Sequence, residues 1–259
     1  MRLGICAAVE SAADVRSAGA DFLEENVQNL LQAQTPDSKW KGKQLAGNSA
    51  LPVPAANCLL PGTLKIVGPS VDFAQVKSYT ITVMRRAQTV GIKILVFGSA
   101  AARNLPEGFD RQLARKQILE FLAMAVPLAA EHSITLVAEP LSRDESNIIH
   151  TLSEAMSYVH EIGHPNFQCL LDTFHFWVNN DNLADLQGCA KQIRHVHVAD
   201  RQGRVPPGES GKSDYRPVFR ILKQAGYDGG ISVESPGWIN YTAAGPRVIA
   251  YLKRQWQES

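Results

Sequence analysis

The chain of 259 residues has little of what marks several protein classes. It carries four cysteines, Cys6, Cys58, Cys169 and Cys189, far apart and without a Cys-x-x-Cys pair. A disulfide-stapled secreted framework is excluded, and buried thiols in a reducing compartment are expected. No sign of charge dominates: 26 Lys and Arg against 25 Asp and Glu leave a formal +1. Such a surface has no global field to gather a polyanion, so no nucleic-acid partner is expected. No apolar run approaches the roughly 20 residues of a membrane span. The opening MRLGICAAVESAADV has neither a basic leader nor an apolar run of signal-peptide length. A soluble, cytoplasmic protein with no membrane partner is the expectation. Low-complexity tracts, like-charge blocks and linkers are also missing, and the Pro/Gly clusters at 52–69 and 203–211 read as loops inside one domain over 1–259.

What is present is a repeating pattern. Strand-length runs rich in Val, Ile, Leu and Phe recur as LGICAAV, DFLEENV, LPVPAANCLL, IKILVFG, ITLVAE, FQCLLD, IRHVHVAD and GGISVES. Several lack polar alternation, as parallel strands covered on both faces do. Amphipathic stretches separate them. Ala114, Ile118, Phe121, Leu122, Ala125 and Leu128 form one apolar face over 110–131, with Pro127 expected to kink it. Phe73, Val76, Val83, Met84, Ala87 and Val90 do the same over 72–90, with Gly91 placed to end the helix. Thr151 and Glu154 make a capping box for a helix reaching Gly163, and Asp214 is placed to cap one that ends near Gly226. Strand then helix, about eight times, gives an open doubly wound sheet or a closed barrel. The first strand leads into AAVESAADV without G-x-G-x-x-G, which favours a single α/β (β/α)8 TIM barrel.

Four residues able to ligate a metal sit at the carboxyl ends of successive expected strands: Glu139, Asp172, His197 and Glu234. Their intervals of 33, 25 and 37 residues are each about one strand–helix unit of a barrel, roughly 31 residues. Such spacing lifts one side chain per strand to the rim where barrels place their sites. A lone strand-terminal carboxylate is more often a helix cap or surface charge; caps and ion pairs do not require all four in phase. Three carboxylates around one imidazole would repel or protonate without a cation. One divalent ion resolves this, and hard oxygen donors with one nitrogen suit Mn²⁺ first, with Mg²⁺ or Co²⁺ as alternatives.

Around these positions the chain resembles the xylose isomerase-like superfamily, especially ketose 3-epimerases and related sugar isomerases. The resemblance is carried by VAEPLSRDESNIIHT, LLDTFHF, HVHVADRQGRVPPGESG and ISVES. It implies that Glu139 and Glu234 bind the ion and also exchange the substrate proton through an enediolate, with Asp172 and His197 as ligands only. It further implies that Glu145 and His175 meet substrate hydroxyls. The superfamily's epimerases carry a substrate-binding arginine six residues after the metal histidine, whereas here Arg201 and Arg204 lie four and seven after His197. The His-x-His-x-x-Asp pattern of His195, His197 and Asp200 also occurs in hydroxypyruvate isomerases and inosose dehydratases.

The resulting expectation is a metal-dependent sugar isomerase or epimerase, foremost a ketose 3-epimerase acting on an unphosphorylated or small sugar. Hydroxypyruvate isomerase and an inosose-type dehydratase are the alternatives, and an abasic-site endonuclease would need more ions and a basic face. A homo-oligomer remains compatible with the sequence. His195, one layer deeper than His197, is expected to support the core or the ligands. His132, His150, His160 and His164 are expected to be solvated or capping. Arg103 or Asn104 of the loop after the fourth strand could reach substrate, with its glycine serving the turn. Trp238 would either wall the pocket or pack on a helix.

Overall fold

The computed structural model describes residues 1–259. Eight parallel strands close in sequence order: β1 (Arg2–Cys6), β2 (Phe22–Asn26), β3 (Ala55–Asn57), β4 (Ile94–Phe97), β5 (Thr135–Ala138), β6 (Phe167–Asp172), β7 (Ile193–Val198) and β8 (Gly230–Val233), with β8 paired back to β1. This is the expected (β/α)8 barrel. No helix is long and apolar enough to cross a membrane.

Short-range signals set the helix ends. Asp72 accepts from the Gln75 N–H to start the helix Phe73–Val90, and Gly91 ends it in the left-handed region at φ 87°. Asp110 caps Arg111–Glu131, which runs through Pro127. Thr151 Oγ1 accepts from the Glu154 N–H at the start of Leu152–Ile162. The reciprocal bond differs from the expected box, because the Glu154 carboxylate accepts from the His150 N–H rather than from Thr151. Asp214 accepts from the Arg216 N–H, but the residue flanking the helix Arg216–Gln224 is Tyr215.

Strand alternation sorts the interior. Sixty-three buried apolar residues pack between the strands and the helices, while Val96, Val137 and Leu170 form a separate cluster inside the barrel. Continuing two residues along each strand brings Gly98, Glu139 and Asp172 to that inward side. At the opposite end Phe22 fills the barrel: a Cβ on Gly4 would lie 2.2 Å, and one on Gly230 2.8 Å, from its ring. Phe22 thus plugs the barrel on its amino-terminal side, and the carboxyl end is left for chemistry. All four thiols are free. Cys169 and Cys189 are buried as expected, Cys6 is half-buried and Cys58 is exposed.

Candidate metal centre

Glu139 and Glu234 each stand one residue beyond a strand, with backbone N–H groups still donating to the neighbouring strands at Phe97 O (3.3 Å) and Val198 O (3.1 Å). Asp172 ends β6 and pairs in register with His197 of β7. The side chains converge: donor atoms of Glu139, Asp172, His197 and Glu234 all lie within 4.8 Å of one another. His197 turns Nδ1 into the cluster, 3.2 Å from Glu139 Oε1, 3.6 Å from Glu234 Oε2 and 4.0 Å from Asp172 Oδ2. Cys6 has its sulfur in the same neighbourhood. Burial, reinforced by Glu24, Glu234 and Glu139, raises its pKa well above the ordinary thiol value and keeps it protonated.

The donor set fits a divalent cation. Asp172 Oδ1 accepts from the His175 N–H, but its buried Oδ2 has no hydrogen-bond partner. Burial, then the nearby Glu234 and Glu139, push its carboxyl up to about 8. An oxygen this buried and surrounded by carboxylates needs positive charge to be ionised. A second group of donors, Glu24, His195 and His197, shares His197 with the first but meets it through Nε2 rather than Nδ1.

Arg204 supplies the other charge. Its Nη2 lies 2.7 Å from Glu234 Oε2 and 3.8 Å from Asp172 Oδ2, and its Nη1 2.7 Å from Glu145 Oε1. Its guanidinium also covers the Phe174 ring at 4.9 Å. Asp200 anchors the loop bearing it, accepting from Gly208 N–H, Ser210 N–H, Ser210 Oγ–H and Tyr215 O–H. Arg201 is placed differently: it is exposed, donates to Asn180 Oδ1 at 3.2 Å and forms no ion pair with the cluster. His175 Nδ1 accepts from the Ser142 N–H at 2.9 Å, so the proton of the neutral ring resides on Nε2, 3.9 Å from Glu145. Burial, then Arg204, push the His175 pKa down to about 3 and hold it neutral.

The structure also places residues that the sequence reading passed over. Glu24 of β2, fully buried, accepts from both His197 and His195; the signal available was a charge inside the run DFLEENV, in a strand expected to be covered on both faces. Asn57 donates to Glu234 Oε1 at 3.1 Å. Arg103 does not reach the mouth. It is fully buried and clamps the ends of β4 and β5 by donating to Phe97 O and Glu139 O, both at 2.8 Å. Asn104 likewise binds the 145–147 segment. His150 is buried and contacts Leu141 O instead of being solvated. Trp238 packs edge-on against Tyr241, 5.2 Å between ring centres.

Gly98 is not among the positive-φ glycines, so turn conformation does not explain it. A Cβ there would fall 2.0 Å from Glu139 Oε2. Because Glu139 is a movable side-chain end, Gly98→Ala should fold normally while displacing that carboxylate. A metal affinity lowered by about 10-fold or more is expected, on the scale of disturbed ligand support, with the melting temperature nearly unchanged. Isothermal titration with Mn²⁺ and a thermal melt check both.

A profile of the xylose isomerase-like TIM barrel family matches residues 12–253. The chain belongs to this family. Among curated relatives, a Mus musculus protein provisionally named a hydroxypyruvate isomerase is 27% identical over 165 residues, 60% of this chain and 57% of that protein. The D-psicose 3-epimerase of Enterocloster bolteae is 30% identical over 126 residues, 48% of this chain and 41% of its own. The 3-dehydro-D-guloside 4-epimerase of Escherichia coli is 32% identical over 121 residues, 46% and 45% of the two chains. The family member thus aligns with less than two thirds of each of these proteins. Two solved structures match nearly end to end. The E. coli 3-keto-D-glucoside 4-epimerase YcjR superposes with TM-score 0.81 at 22% identity, covering 98% of this chain and 99% of that one. A Methylomonas D-allulose 3-epimerase in complex with D-allulose gives 0.82 at 18%, covering 98% and 97%. At these identities the likeness is one of fold.

Proposed function

We propose that this barrel is a divalent-metal-dependent sugar epimerase or isomerase, specifically a ketose 3-epimerase acting on an unphosphorylated ketose. The observation that carries the reading is the convergence of two carboxylates, Glu139 from β5 and Glu234 from β8, on Nδ1 of His197. Relatives named as a D-psicose 3-epimerase and a sugar 4-epimerase support the reaction class. Glu139, Asp172, His197 and Glu234 would hold the ion, with Mn²⁺ preferred for a set of three carboxylates and one imidazole. When bound, such an ion acidifies the C–H beside a substrate carbonyl and stabilises negative charge on its oxygen.

The residues divide the remaining work. One glutamate takes the C3 proton from one face of the ketose, forming an enediolate, and the other returns a proton to the opposite face, which inverts the centre. Glu234 is steadied for this by Arg204 on one oxygen and Asn57 on the other. Neutral His175 offers its Nε2–H, and Glu145 its carboxylate, to sugar hydroxyls at the mouth. Arg204 bridges Glu145 and Glu234 there and takes the substrate-facing role in preference to Arg201.

A hydroxypyruvate isomerase is the second reading, favoured by the relative that aligns over 165 residues. The test is incubation of Mn²⁺-loaded protein in D₂O with ketoses, 3-keto sugars, hydroxypyruvate and inososes, followed by NMR. Deuterium at C3 with the new epimer is the expected result. Exchange at C2 with aldose–ketose conversion would assign an isomerase, inversion beside a 3-keto group a 4-epimerase, and loss of water a dehydratase.

A further inference from the structure

A histidine ligand is defined by two hydrogen-bonding decisions, which nitrogen faces the ion and what holds the other one. In this barrel the second decision is made by Glu24, a carboxylate on β2, three places around the ring from β7. Its side chain is fully buried, and both its oxygens are used: Oε1 lies 2.9 Å from His197 Nε2 and Oε2 2.6 Å from His195 Nε2. The Ser232 hydroxyl is 3.2 Å from the same His195 nitrogen. The two imidazole rings meet edge to face, with centres 5.2 Å apart, and both are buried.

We infer that Glu24 is the positioning residue of the metal centre: it holds the Nε2–H of His197 and so turns the Nδ1 lone pair toward Glu139, Asp172 and Glu234. This inference rests on the reading that these four residues hold a divalent ion. An ionised carboxylate only accepts hydrogen bonds, so each histidine must present an N–H to it. With its Nε2 proton held by Glu24, neutral His197 has only Nδ1 free to bind a cation. The carboxylate also makes the imidazole a stronger donor to the ion, as outer carboxylates do in other histidine metal sites. His195 has a defined part in this. By occupying Oε2 it fixes the rotation of the Glu24 carboxylate, so that Oε1 meets His197 in the plane needed. Neither His195 nor Glu24 would touch the ion or substrate.

Gln in place of Glu24 keeps the shape but not the double acceptor. Its amide oxygen can serve one histidine, and its NH₂ group faces the other donor. The measurement is a Co²⁺ titration of wild-type protein and of Glu24→Gln, followed by visible ligand-field absorption, with circular dichroism to compare folding. Wild type is expected to develop the Co²⁺ bands, and Glu24→Gln to need about 10- to 100-fold more Co²⁺ for the same bands. Equal affinities in two equally folded proteins overturn the positioning role. Absence of Co²⁺ bands in wild type overturns the metal reading as well, so the two failures are distinct. Should Glu24→Gln not fold, ¹H–¹⁵N NMR of Zn²⁺-loaded wild type decides instead. A protonated His197 Nε2 with Zn²⁺ on Nδ1 is expected; Zn²⁺ on Nε2 overturns the inference.

Discussion

Replacing either Glu139 or Glu234 by Gln is expected to leave a folded barrel whose turnover has fallen by about 10²- to 10⁴-fold, the range that positioned acid–base groups supply. Gln preserves size and strand-end backbone bonding, so the barrel has no reason to open. Proton exchange distinguishes this from a simple loss of ligand. If each carboxylate serves one face of the sugar carbon, a variant with one remaining base still removes the proton from one epimer. It then returns a proton to the same face without inversion. In D₂O, Glu139→Gln and Glu234→Gln should each retain hydrogen exchange with one epimer only, and with opposite epimers. Metal content measured alongside separates failed binding from failed transfer. Inversion retained in both variants would sink the two-carboxylate mechanism.

Asp172→Asn should move function and stability in opposite directions. Removing the charge should weaken Mn²⁺ binding by more than about 100-fold, beyond the upper end of the effect of outer partners. The metal-free protein should gain stability, because the buried Oδ2 has no hydrogen-bond partner and sits among other carboxylates. The pH dependence follows from the sign of the shift. In the unfolded chain the carboxyl loses its proton near its ordinary value of 3.8, while in the folded protein it keeps it to about 8. Between these limits the folded state binds more protons, so metal-free wild type loses stability as pH rises through that window. His197 acts in the same direction above its ordinary value of 6.5: burial opposes its charge, but Glu24 and Glu234 outweigh burial and raise its pKa well above that value. Melting temperatures of chelated wild type and Asp172→Asn should therefore diverge with rising pH, the variant being the more stable. Curves that stay parallel from pH 4 to 8 would remove the buried-charge account.

Much of the architecture was legible in the chain because it depends on local chemistry. Thr151 caps its helix through a neighbour three residues away, and Gly91 and Gly163 end two helices in the left-handed region for the same short-range reason. The placement of Glu139, Asp172, His197 and Glu234 at one rim also followed from spacing, since a closed ring turns a regular interval along the chain into convergence in space. What sequence could not decide were pairings between distant strands. Glu24 and His197 are 173 positions apart, and Asn57 and Glu234 177 apart, so no local period connects them. Arg201 and Arg204 looked equivalent by count. Asp200, by gathering the Gly208–Ser210 turn and Tyr215, sets the loop in which Arg204 rather than Arg201 meets the carboxylates. Of the two glycines in the loop after β4, Gly108 takes the positive φ of a turn, whereas Gly98 leaves space for Glu139. By itself the sequence determined alternating strands and helices with four metal-binding candidates in phase, because apolar periodicity and strand-end intervals are properties of residue order, while closure of the ring is a property of the paired strands. Only the tertiary structure decided which buried carboxylate meets His197, which arginine reaches Glu234 and which glycine leaves room for Glu139, because those depend on side chains that barrel closure brings together.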